Sequence, residues 1–254
     1  MTFGEIMLRL KTPEYLRIVQ SQSFEASYGG AEANVAAGLA MLKDEAAFVT
    51  KLPDNPVGQS ALNELRCYGV DTSDILRGGK RLGIYYFEKG TNIRPTNVVY
   101  DREDSAFACS KADEYDWNKI LADADVFFFS GVTPAVSETV KESVLMALQF
   151  CKEHGIEVVC DLNYRAKMWD KGTAQKVMRE LMPYVTICIE AVGAGDAFAA
   201  AFIHMLLKKE QPQRTIDFSI AASILKLMIQ HDFNIVSEAD ILHVMKSNDV
   251  NLQR

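Results

Sequence analysis

The chain has 254 residues, of which 48% are hydrophobic and 24% charged, and its formal net charge is −7. This composition is ordinary for a globular protein of one large domain, so it excludes the disordered and fibrous classes. The acidic balance argues against nucleic acid as a partner. Because apolar runs are too short to cross a bilayer and no secretory signal opens the chain, we also expect no membrane partner.

Strand and helix patterns alternate along the chain. The predicted strands are, in order, 3–10, 46–51, 82–89, 97–102, 125–130, 157–160 and 185–189. The predicted helices are 34–42, 56–68, 137–154, 173–181, 197–208, 216–228 and 238–245. Such alternation predicts an α/β fold with a mainly parallel sheet covered by helices. Between residues 71 and 108 short strands follow one another without a helix, which predicts an antiparallel insert that could act as a lid.

The sharpest functional signal is Gly193-Ala194-Gly195-Asp196 at the start of a predicted helix. Backbone N–H groups of such a turn converge on an anion, and the helix dipole reinforces them. Asp196 would lie close enough to take a proton from a hydroxyl, and phosphoryl transfer to an alcohol needs both groups. The alternative is that Asp196 only caps the helix. No Gly-Lys-Ser/Thr follows, so the segment is not a Walker A loop, and it is a poor dinucleotide fingerprint.

Two further segments place polar residues where an α/β sheet binds ligands. Residues 28–34 read Tyr-Gly-Gly-Ala-Glu-Ala-Asn, in which Gly30 permits close approach of a ligand and Asn34 could hydrogen-bond sugar hydroxyls. Residues 161–169 directly follow a predicted strand, and Arg165 among them suits a carboxylate or a phosphate. An ordinary entry into a helix and an ordinary surface loop are the respective alternatives.

A third group of candidates lies on the predicted strands of the insert. Tyr100 and Arg102 are two residues apart in one strand, so they share a face. Together with Tyr86 they would offer aromatic rings and a charged fork to a sugar acid. Solvent-exposed residues of an edge strand are the alternative interpretation.

Histidines and cysteines indicate neither a metal site nor a disulfide framework. The four histidines are dispersed, and no pair has the spacing of metal ligands, so we identify no metal-binding residue. The five cysteines are odd in number and form no CxxC pair, which fits free thiols and a cytoplasmic location.

The sequence also reads as if a segment were missing after Glu190. The predicted strand that ends there runs straight into the glycine-rich helix start at Ala191, with no crossover between them. Almost everything that follows is predicted helix, so the last third of the chain has helices but no strands to cover. We therefore expect residues to be missing between Glu190 and Ala191.

The order of these motifs strongly resembles that of the ribokinase-like (PfkB) carbohydrate kinases, over essentially the whole chain. The matching segments are Gly-Gly-x-x-x-Asn at 29–34, the short-stranded insert, Asp-x-Asn-x-Arg at 161–165 and Gly-Ala-Gly-Asp at 193–196. Softer matches resemble the 2-keto-3-deoxygluconate kinases within that family, and they lie at 4–10, 24–30, 99–102 and 231–234.

The resemblance implies a role for each matching position. Asp196 would be the base that deprotonates the acceptor hydroxyl, and the amides of Gly193, Ala194 and Gly195 would form the anion hole. The substrate-binding residues implied by the resemblance are Gly30, Asn34, Tyr86, Tyr100, Arg102, Arg165 and Asp232. Arg165 would also approach the nucleotide phosphates.

The resemblance further implies a ribokinase-like three-layer α/β/α sandwich with a mainly parallel central sheet and a small β-sheet lid. It would be one domain over residues 1–254, with lid segments at 9–31 and 78–108. The implied reaction moves the γ-phosphoryl of ATP, with Mg²⁺, to 2-keto-3-deoxygluconate, giving 2-keto-3-deoxy-6-phosphogluconate. Since lids of this kind often pair between subunits, the implied assembly is a homodimer or higher homo-oligomer.

One departure from the family bears on this activity. Family members carry an Asn-x-x-Glu motif and several further strands between the strand matching residues 186–189 and Gly-Ala-Gly-Asp, and this region forms much of the ATP site. Part of the nucleotide-binding region is therefore expected to be missing after Glu190. The alternatives are a kinase of a neutral sugar such as fructose or ribose, a catalytically dead sugar-binding protein and, more distantly, a dinucleotide-dependent oxidoreductase.

Overall fold

The computed structural model describes residues 1–190 and 194–246 and contains two principal β-sheets. The strands are β1 (Thr2–Phe3), β2 (Met7–Lys11), β3 (Glu25–Gly29), β4 (Phe48–Val49), β5 (Lys51–Leu52), β6 (Leu76–Arg77), β7 (Ile84–Glu88), β8 (Asn97–Asp101), β9 (Val126–Ser130), β10 (Glu157–Asp161) and β11 (Ile187–Ile189). The helices are α1 (Ala31–Met41), α2 (Pro56–Cys67), α3 (Trp117–Ile120), α4 (Glu138–His154), α5 (Lys171–Leu181), α6 (Gly195–Leu207), α7 (Pro212–Lys226) and α8 (Glu238–Lys246).

The larger sheet is parallel throughout and has the strand order β11-β10-β9-β1-β4. Its central strands are apolar on both faces, as burial between two layers of helices requires. Phe127 and Phe129 of β9 belong to the core cluster that includes Val144 and Leu148 of α4, whereas Phe128 belongs to the cluster on the α1 and α6 side. The predicted α/β fold with a mainly parallel, helix-covered sheet is confirmed.

Helices α1 and α6 pack closely on one face of this sheet because small residues line their contact. A Cβ atom on Gly38 of α1 would lie 2.7 Å from the Cβ of Ala200 in α6, so glycine is required for this approach. The fully buried Ala199 extends the same small-residue surface of α6. This contact fixes the start of α6 beside the start of α1, which brings two of the predicted functional segments together.

The smaller sheet has four strands in the order β3-β2-β7-β8 and covers the carboxyl edge of the larger one. β2 pairs antiparallel with β3, and β7 pairs antiparallel with β8, but β2 and β7 are parallel. The two strands of the predicted insert, β7 and β8, therefore pair antiparallel as expected, and the parallel pairing joins β7 to β2, a strand that precedes the insert.

The predicted opening strand 3–10 is two strands in different sheets, separated at residues 4–6. The break falls on Gly4, Glu5 and Ile6, and apolar residues on both sides of it make one continuous strand the sequence prediction. A Cβ on Gly4 would lie 2.2 Å from Glu32 Oε2, and the Glu5 side chain is buried. The buried carboxylates of Glu5 and Glu32 thus lie where the chain passes from the larger sheet to the smaller one.

β11 is an edge strand of the larger sheet, and the elements described after it are the helices α6, α7 and α8. Helix α7 buries Phe218 and Ala222 but leaves a row of large apolar side chains exposed. The exposed residues are Ile216, Ile220 and Ile224 in the helix, and Leu227 and Met228 directly after it. Within residues 1–190 and 194–246 no helix is both long enough and apolar enough to cross a membrane.

Candidate active site

A cavity of about 520 Å³ lies where the carboxyl edge of the larger sheet meets the smaller sheet. It collects side chains from segments that are far apart in sequence. Its walls include Gly30, Asn34, Tyr100, Arg102, Arg165, Asp196 and Asp232, together with Tyr85, Lys167 and Met168. Six of the seven substrate-binding residues inferred above therefore lie around one cavity with Asp196, and Tyr86 does not.

Asp196 is the second residue of α6, and the helix begins one residue earlier at Gly195. The N-cap position belongs to Ala194, which has a φ of 46°, and no side chain caps the helix. Asp196 therefore does not serve as the cap, which disfavours the simplest alternative for this motif. The free N–H groups at the start of α6 remain available to an anion.

The Asp196 carboxylate is held by Asn34. Asn34 Nδ2 donates a hydrogen bond of 2.6 Å to Asp196 Oδ2, while Asn34 Oδ1 is buried and has no hydrogen-bond partner among the described residues. Burial raises the pKa of Asp196 to about 7, although the hydrogen bond from Asn34 works in the opposite direction. A carboxyl group with this pKa is poised to accept a proton near neutral pH.

Other carboxylates beneath the cavity add to this effect. Glu32 is buried and accepts hydrogen bonds from the Ser130 backbone N–H, the Ser130 hydroxyl and the Thr133 hydroxyl at 2.6–2.8 Å. Burial raises the pKa of Glu32, and it raises that of Asp161 to about 6. Both carboxyl groups also raise the pKa of Asp196, because like charges disfavour its ionised form.

The two predicted arginines differ in their surroundings. Arg102 Nη2 donates to the buried carboxylate of Glu5, whose other oxygen accepts a 2.5 Å hydrogen bond from the Ser105 hydroxyl. Arg102 Nη1 lies 3.5 Å from Met168 Sδ, and its Nε is buried without a hydrogen-bond partner among the described residues. The Arg165 guanidinium forms no ion pair within the described parts of the chain, although its charge lowers the pKa of the nearby Asp161, so it is the less compensated of the two arginines.

Tyr86 and Tyr85 point to opposite faces of β7. The Tyr86 ring packs edge-on against Phe24 at 5.8 Å, away from the cavity, whereas Tyr85 lines the cavity and lies 6.0 Å from the ring of Tyr100. The structure thus puts Tyr85 where Tyr86 is expected. Both residues are tyrosines in one strand, so the sequence alone does not reveal which of them faces inward.

Asp232 lies in the loop between α7 and α8 and reaches the cavity wall. Its carboxylate accepts a 2.8 Å hydrogen bond from Arg9 Nη1 and a 2.6 Å hydrogen bond from the Tyr85 hydroxyl. Arg9, Tyr85, Glu5 and Glu32 are not among the predicted site residues. Glu32 carries a signal in the sequence, since it is the single charged residue of helix α1.

The described residues provide no preformed metal cage. Within residues 1–190 and 194–246, no cluster of three or more histidine, cysteine, aspartate or glutamate side chains could hold a metal ion. Mg²⁺ usually keeps several waters and is bound mainly through substrate phosphates in phosphoryl-transfer enzymes. Gly193 and the junction between Glu190 and Ala191 lie outside the described residues.

With this geometry in view, comparisons with known proteins place the chain in a family. The sequence model of the pfkB family carbohydrate kinases matches residues 1–190. The 2-dehydro-3-deoxygalactonokinase of Haloferax volcanii is 31% identical, and the alignment covers 100% of this chain and 98% of that enzyme. The chain belongs to the pfkB family of carbohydrate kinases, which makes it an ATP-dependent sugar kinase.

Solved structures agree with this assignment. The 2-dehydro-3-deoxygluconokinase of Thermotoga maritima is 37% identical and has a TM-score of 0.94, over 97% of this chain and 98% of its own. A sugar kinase from Pyrococcus horikoshii, solved in complex with ATP, is 21% identical and has a TM-score of 0.83, over 96% of this chain and 99% of its own. At that identity it shows the shared fold.

The comparisons also bear on the junction after Glu190. The alignment with the Haloferax volcanii enzyme runs over 313 positions, 59 more than the 254 residues of this chain. The match to the family model ends at Glu190, the residue after which the sequence analysis expects a missing segment.

Proposed function

We propose that this kinase phosphorylates 2-keto-3-deoxygluconate at its primary hydroxyl to give 2-keto-3-deoxy-6-phosphogluconate. The observation that carries the proposal is the single cavity that Asp196, at the start of α6, shares with Arg102 and Arg165. Arginines suit the carboxylate of a sugar acid, and a neutral sugar would leave Arg165 without an anion to bind, since only Arg102 is already paired, with Glu5. The two relatives named as kinases of sugar acids support this choice of substrate.

The chemical step follows from the position of Asp196. The primary hydroxyl oxygen attacks the γ-phosphorus of ATP, its proton passes to the Asp196 carboxylate, and the bond from that phosphorus to the ADP oxygen breaks. The N–H groups at the start of α6, together with those of 193–195, stabilise the charge on the moving phosphoryl group. Binding the carboxylate end by Arg102 and Arg165 aims the far end of the sugar at Asp196.

The remaining site residues orient the sugar. Asn34 holds Asp196 through Nδ2 and offers its unpaired Oδ1 to a sugar hydroxyl. Gly30 lets the substrate approach the backbone, and Tyr100 offers a ring to the sugar. We propose Tyr85 in place of Tyr86 as the second tyrosine of the site. The four-stranded sheet that carries these tyrosines would act as the lid.

Several further properties belong to the proposal. Mg²⁺ would be bound chiefly by the ATP phosphates, since the described residues offer no cage of their own for it. A further segment, expected after Glu190 from the family resemblance, would complete the nucleotide site. A homodimer through the lid sheet and a cytoplasmic location are expected, and the unpaired state of all five cysteines supports the latter.

Replacing the base tests the proposal directly. Asp196→Asn keeps the size of the side chain but cannot accept the proton, so kcat is expected to fall about 10²- to 10⁴-fold. Binding of 2-keto-3-deoxygluconate, measured by calorimetry without ATP, is expected to change little. Unchanged turnover in this variant would reject Asp196 as the base.

A further inference from the structure

Two cysteines face each other across neighbouring strands of the larger sheet, and we call them the Cys160–Cys188 pair. Cys160 of β10 and Cys188 of β11 are register partners in a parallel pairing. The side chains of such partners project to the same face of a sheet. Burial raises the pKa of Cys160, and the nearby Cys188 raises it further, so the two thiols lie close together.

The spacing of the pair suits a disulfide. Adjacent strands lie about 4.8 Å apart, which is within the range of about 4.4–6.8 Å between the Cα atoms of a disulfide. The Cβ atoms must come to about 3.8 Å, so closing the bond draws the strands together by about 1 Å. Within the described sheet β11 is an edge strand that pairs with β10 alone. It can therefore make this movement without breaking a second ladder.

The two thiols differ in access to solvent. Cys188 is exposed, whereas Cys160 is fully buried, and both are free thiols in the structure. An oxidant that arrives from solvent therefore meets Cys188 first, and Cys160 is the thiol beside it. Burial and the carboxylates of Asp161 and Glu190 raise the pKa of Cys188. The reactivity of the pair thus comes from proximity and not from an activated thiolate.

The pair lies next to a residue that influences the proposed base. Asp161 directly follows Cys160 and is the register partner of Ile189. The Leu162 backbone N–H donates a hydrogen bond of 3.0 Å to the Ile189 carbonyl oxygen, so the two strands stay coupled beyond the pair. Asp161 is one of the carboxyl groups that raise the pKa of Asp196. A shift of β11 against β10 is therefore transmitted to the carboxyl edge where the cavity lies.

We propose that the Cys160–Cys188 pair is a redox-sensitive modification site, at which a hydroperoxide closes a disulfide that lowers kinase activity. The inference rests on the kinase activity and not on the choice of sugar. Because the bond draws the strands away from their resting distance, it is strained and readily reduced by a dithiol. Disulfides of intracellular enzymes are typically of this transient kind.

The oxidation proceeds in two steps. The Cys188 sulfur attacks one peroxide oxygen, the O–O bond breaks, and the hydroxide that leaves takes up the thiol proton as water, which gives a sulfenic acid. The Cys160 sulfur then attacks the Cys188 sulfur, the S–S bond forms, and the S–O bond breaks. The hydroxyl group leaves with the Cys160 proton as a second water. The two sulfurs together lose two electrons, and the peroxide gains them.

The test uses a parent chain from which the other two exposed thiols are removed by Cys67→Ser and Cys109→Ser. After treatment with hydrogen peroxide at mildly alkaline pH, its intact mass is expected to fall by about 2 Da, the two hydrogens lost in the disulfide. Peptide mapping is expected to join Cys160 to Cys188. A misplacement of about 1 Å near a reacting group can cost up to about 10²-fold, so we expect kcat to fall about 10-fold. Dithiothreitol is expected to restore both the mass and kcat.

The matched control is Cys188→Ser in the parent chain, which keeps the size of the exposed side chain but cannot form the bond. Peroxide is expected to change neither its kcat nor its mass by loss of hydrogen. Cys160→Ala is the second variant, in which Cys188 stays without its partner thiol. Its mass is expected to rise by about 16 Da, the oxygen of a sulfenic acid, instead of falling. If Cys160→Ala does not fold, the parent chain and Cys188→Ser decide the matter.

Three results would overturn the inference. A parent chain whose mass rises without a bond between Cys160 and Cys188 would show that the two thiols do not meet. A disulfide that forms while kcat stays unchanged would remove its effect on the kinase. An equal loss of kcat in Cys188→Ser would place the sensitive group elsewhere. A chain that closes the bond but prefers a neutral sugar to 2-keto-3-deoxygluconate would instead reject only the proposed substrate, so the two failures are distinguishable.

Discussion

Asp196 gains its proposed reactivity from its neighbours and not from its own chemistry. Asn34 of α1 supplies its hydrogen bond, and Glu32 and Asp161 supply like charges nearby. Burial and these carboxyl groups raise the pKa of Asp196 to about 7, so a weak base becomes an effective one at neutral pH.

The pH dependence of the reaction follows from the raised pKa. The base acts when it is ionised, so kcat/KM is expected to fall as pH drops through about 7, where Asp196 becomes protonated. Removing the hydrogen bond from Asn34 destabilises the ionised form of Asp196. In Asn34→Ala the fall in kcat/KM is therefore expected to occur at higher pH. The measurement is a pH profile of kcat/KM, with Asn63→Ala on the exposed surface of α2 as the control. If kcat/KM of Asn34→Ala falls over the same pH range as that of the wild type, the role of this hydrogen bond is contradicted.

Removing the Arg165 side chain is expected to weaken the binding of a sugar acid more than the binding of a neutral sugar. Its guanidinium has no ion-pair partner among the described residues, unlike Arg102, which is bound to Glu5. Arg165→Ala is expected to weaken binding of 2-keto-3-deoxygluconate about 10- to 100-fold and that of fructose far less. Arg179→Ala, on the exposed side of α5, removes the same charge outside the cavity and serves as the control. Equal losses for the two sugars would remove the carboxylate role of Arg165.

Among the helices and strands, the site depends on two close approaches between elements. Gly38 lets α1 and α6 touch, and Gly30 lets the start of α1 lie against the connection between β1 and β2. A Cβ on Gly30 would be only 2.0 Å from the Glu5 carbonyl oxygen. The glycine pair in the sequence motif therefore has a packing reason in addition to its place beside the ligand.

Gly30→Ala is expected to lower the free energy of unfolding by about 2 kcal/mol or more, because the backbone must shift to remove the overlap. Gly155→Ala is the control for the loss of a glycine. Gly155 has a φ of 72°, and no atom lies within 4 Å of the added Cβ. The free energy of unfolding is therefore expected to fall only by the strain of the left-handed conformation, about 1 kcal/mol. Denaturant unfolding of the two variants measures the difference. If Gly30→Ala is as stable as the wild type, the contact between residue 30 and the Glu5 carbonyl is not tight.

Sequence reasoning succeeds for elements whose signal is local. The apolar run of β9 predicts a strand buried on both faces, and glycines before a helix predict the start of α6 near Asp196. It fails where the outcome depends on a partner that is distant in sequence. Whether Tyr85 or Tyr86 faces the cavity depends on how β7 is placed against β2, and the break at residues 4–6 depends on Glu32 from α1.

In the molecule as a whole, the proposed sugar-binding residues lie around one cavity, whereas the match to the family model stops at Glu190. The described sheet ends at β11, and α7 exposes a row of isoleucines on the side away from its buried face. The alignment with the Haloferax volcanii relative has 59 more positions than the 254 residues of this chain. We expect an additional segment to belong at this junction.

An assay of ATP consumption with Mg²⁺, on protein whose intact mass has been determined, decides whether the kinase acts on a sugar acid. 2-keto-3-deoxygluconate, its epimer 2-keto-3-deoxygalactonate, gluconate, fructose and ribose are offered side by side. We expect a strong preference for 2-keto-3-deoxygluconate, with the phosphate on its primary hydroxyl. Turnover of fructose or ribose in preference to either keto acid would contradict the proposed substrate while leaving the kinase fold and the position of Asp196 unchanged.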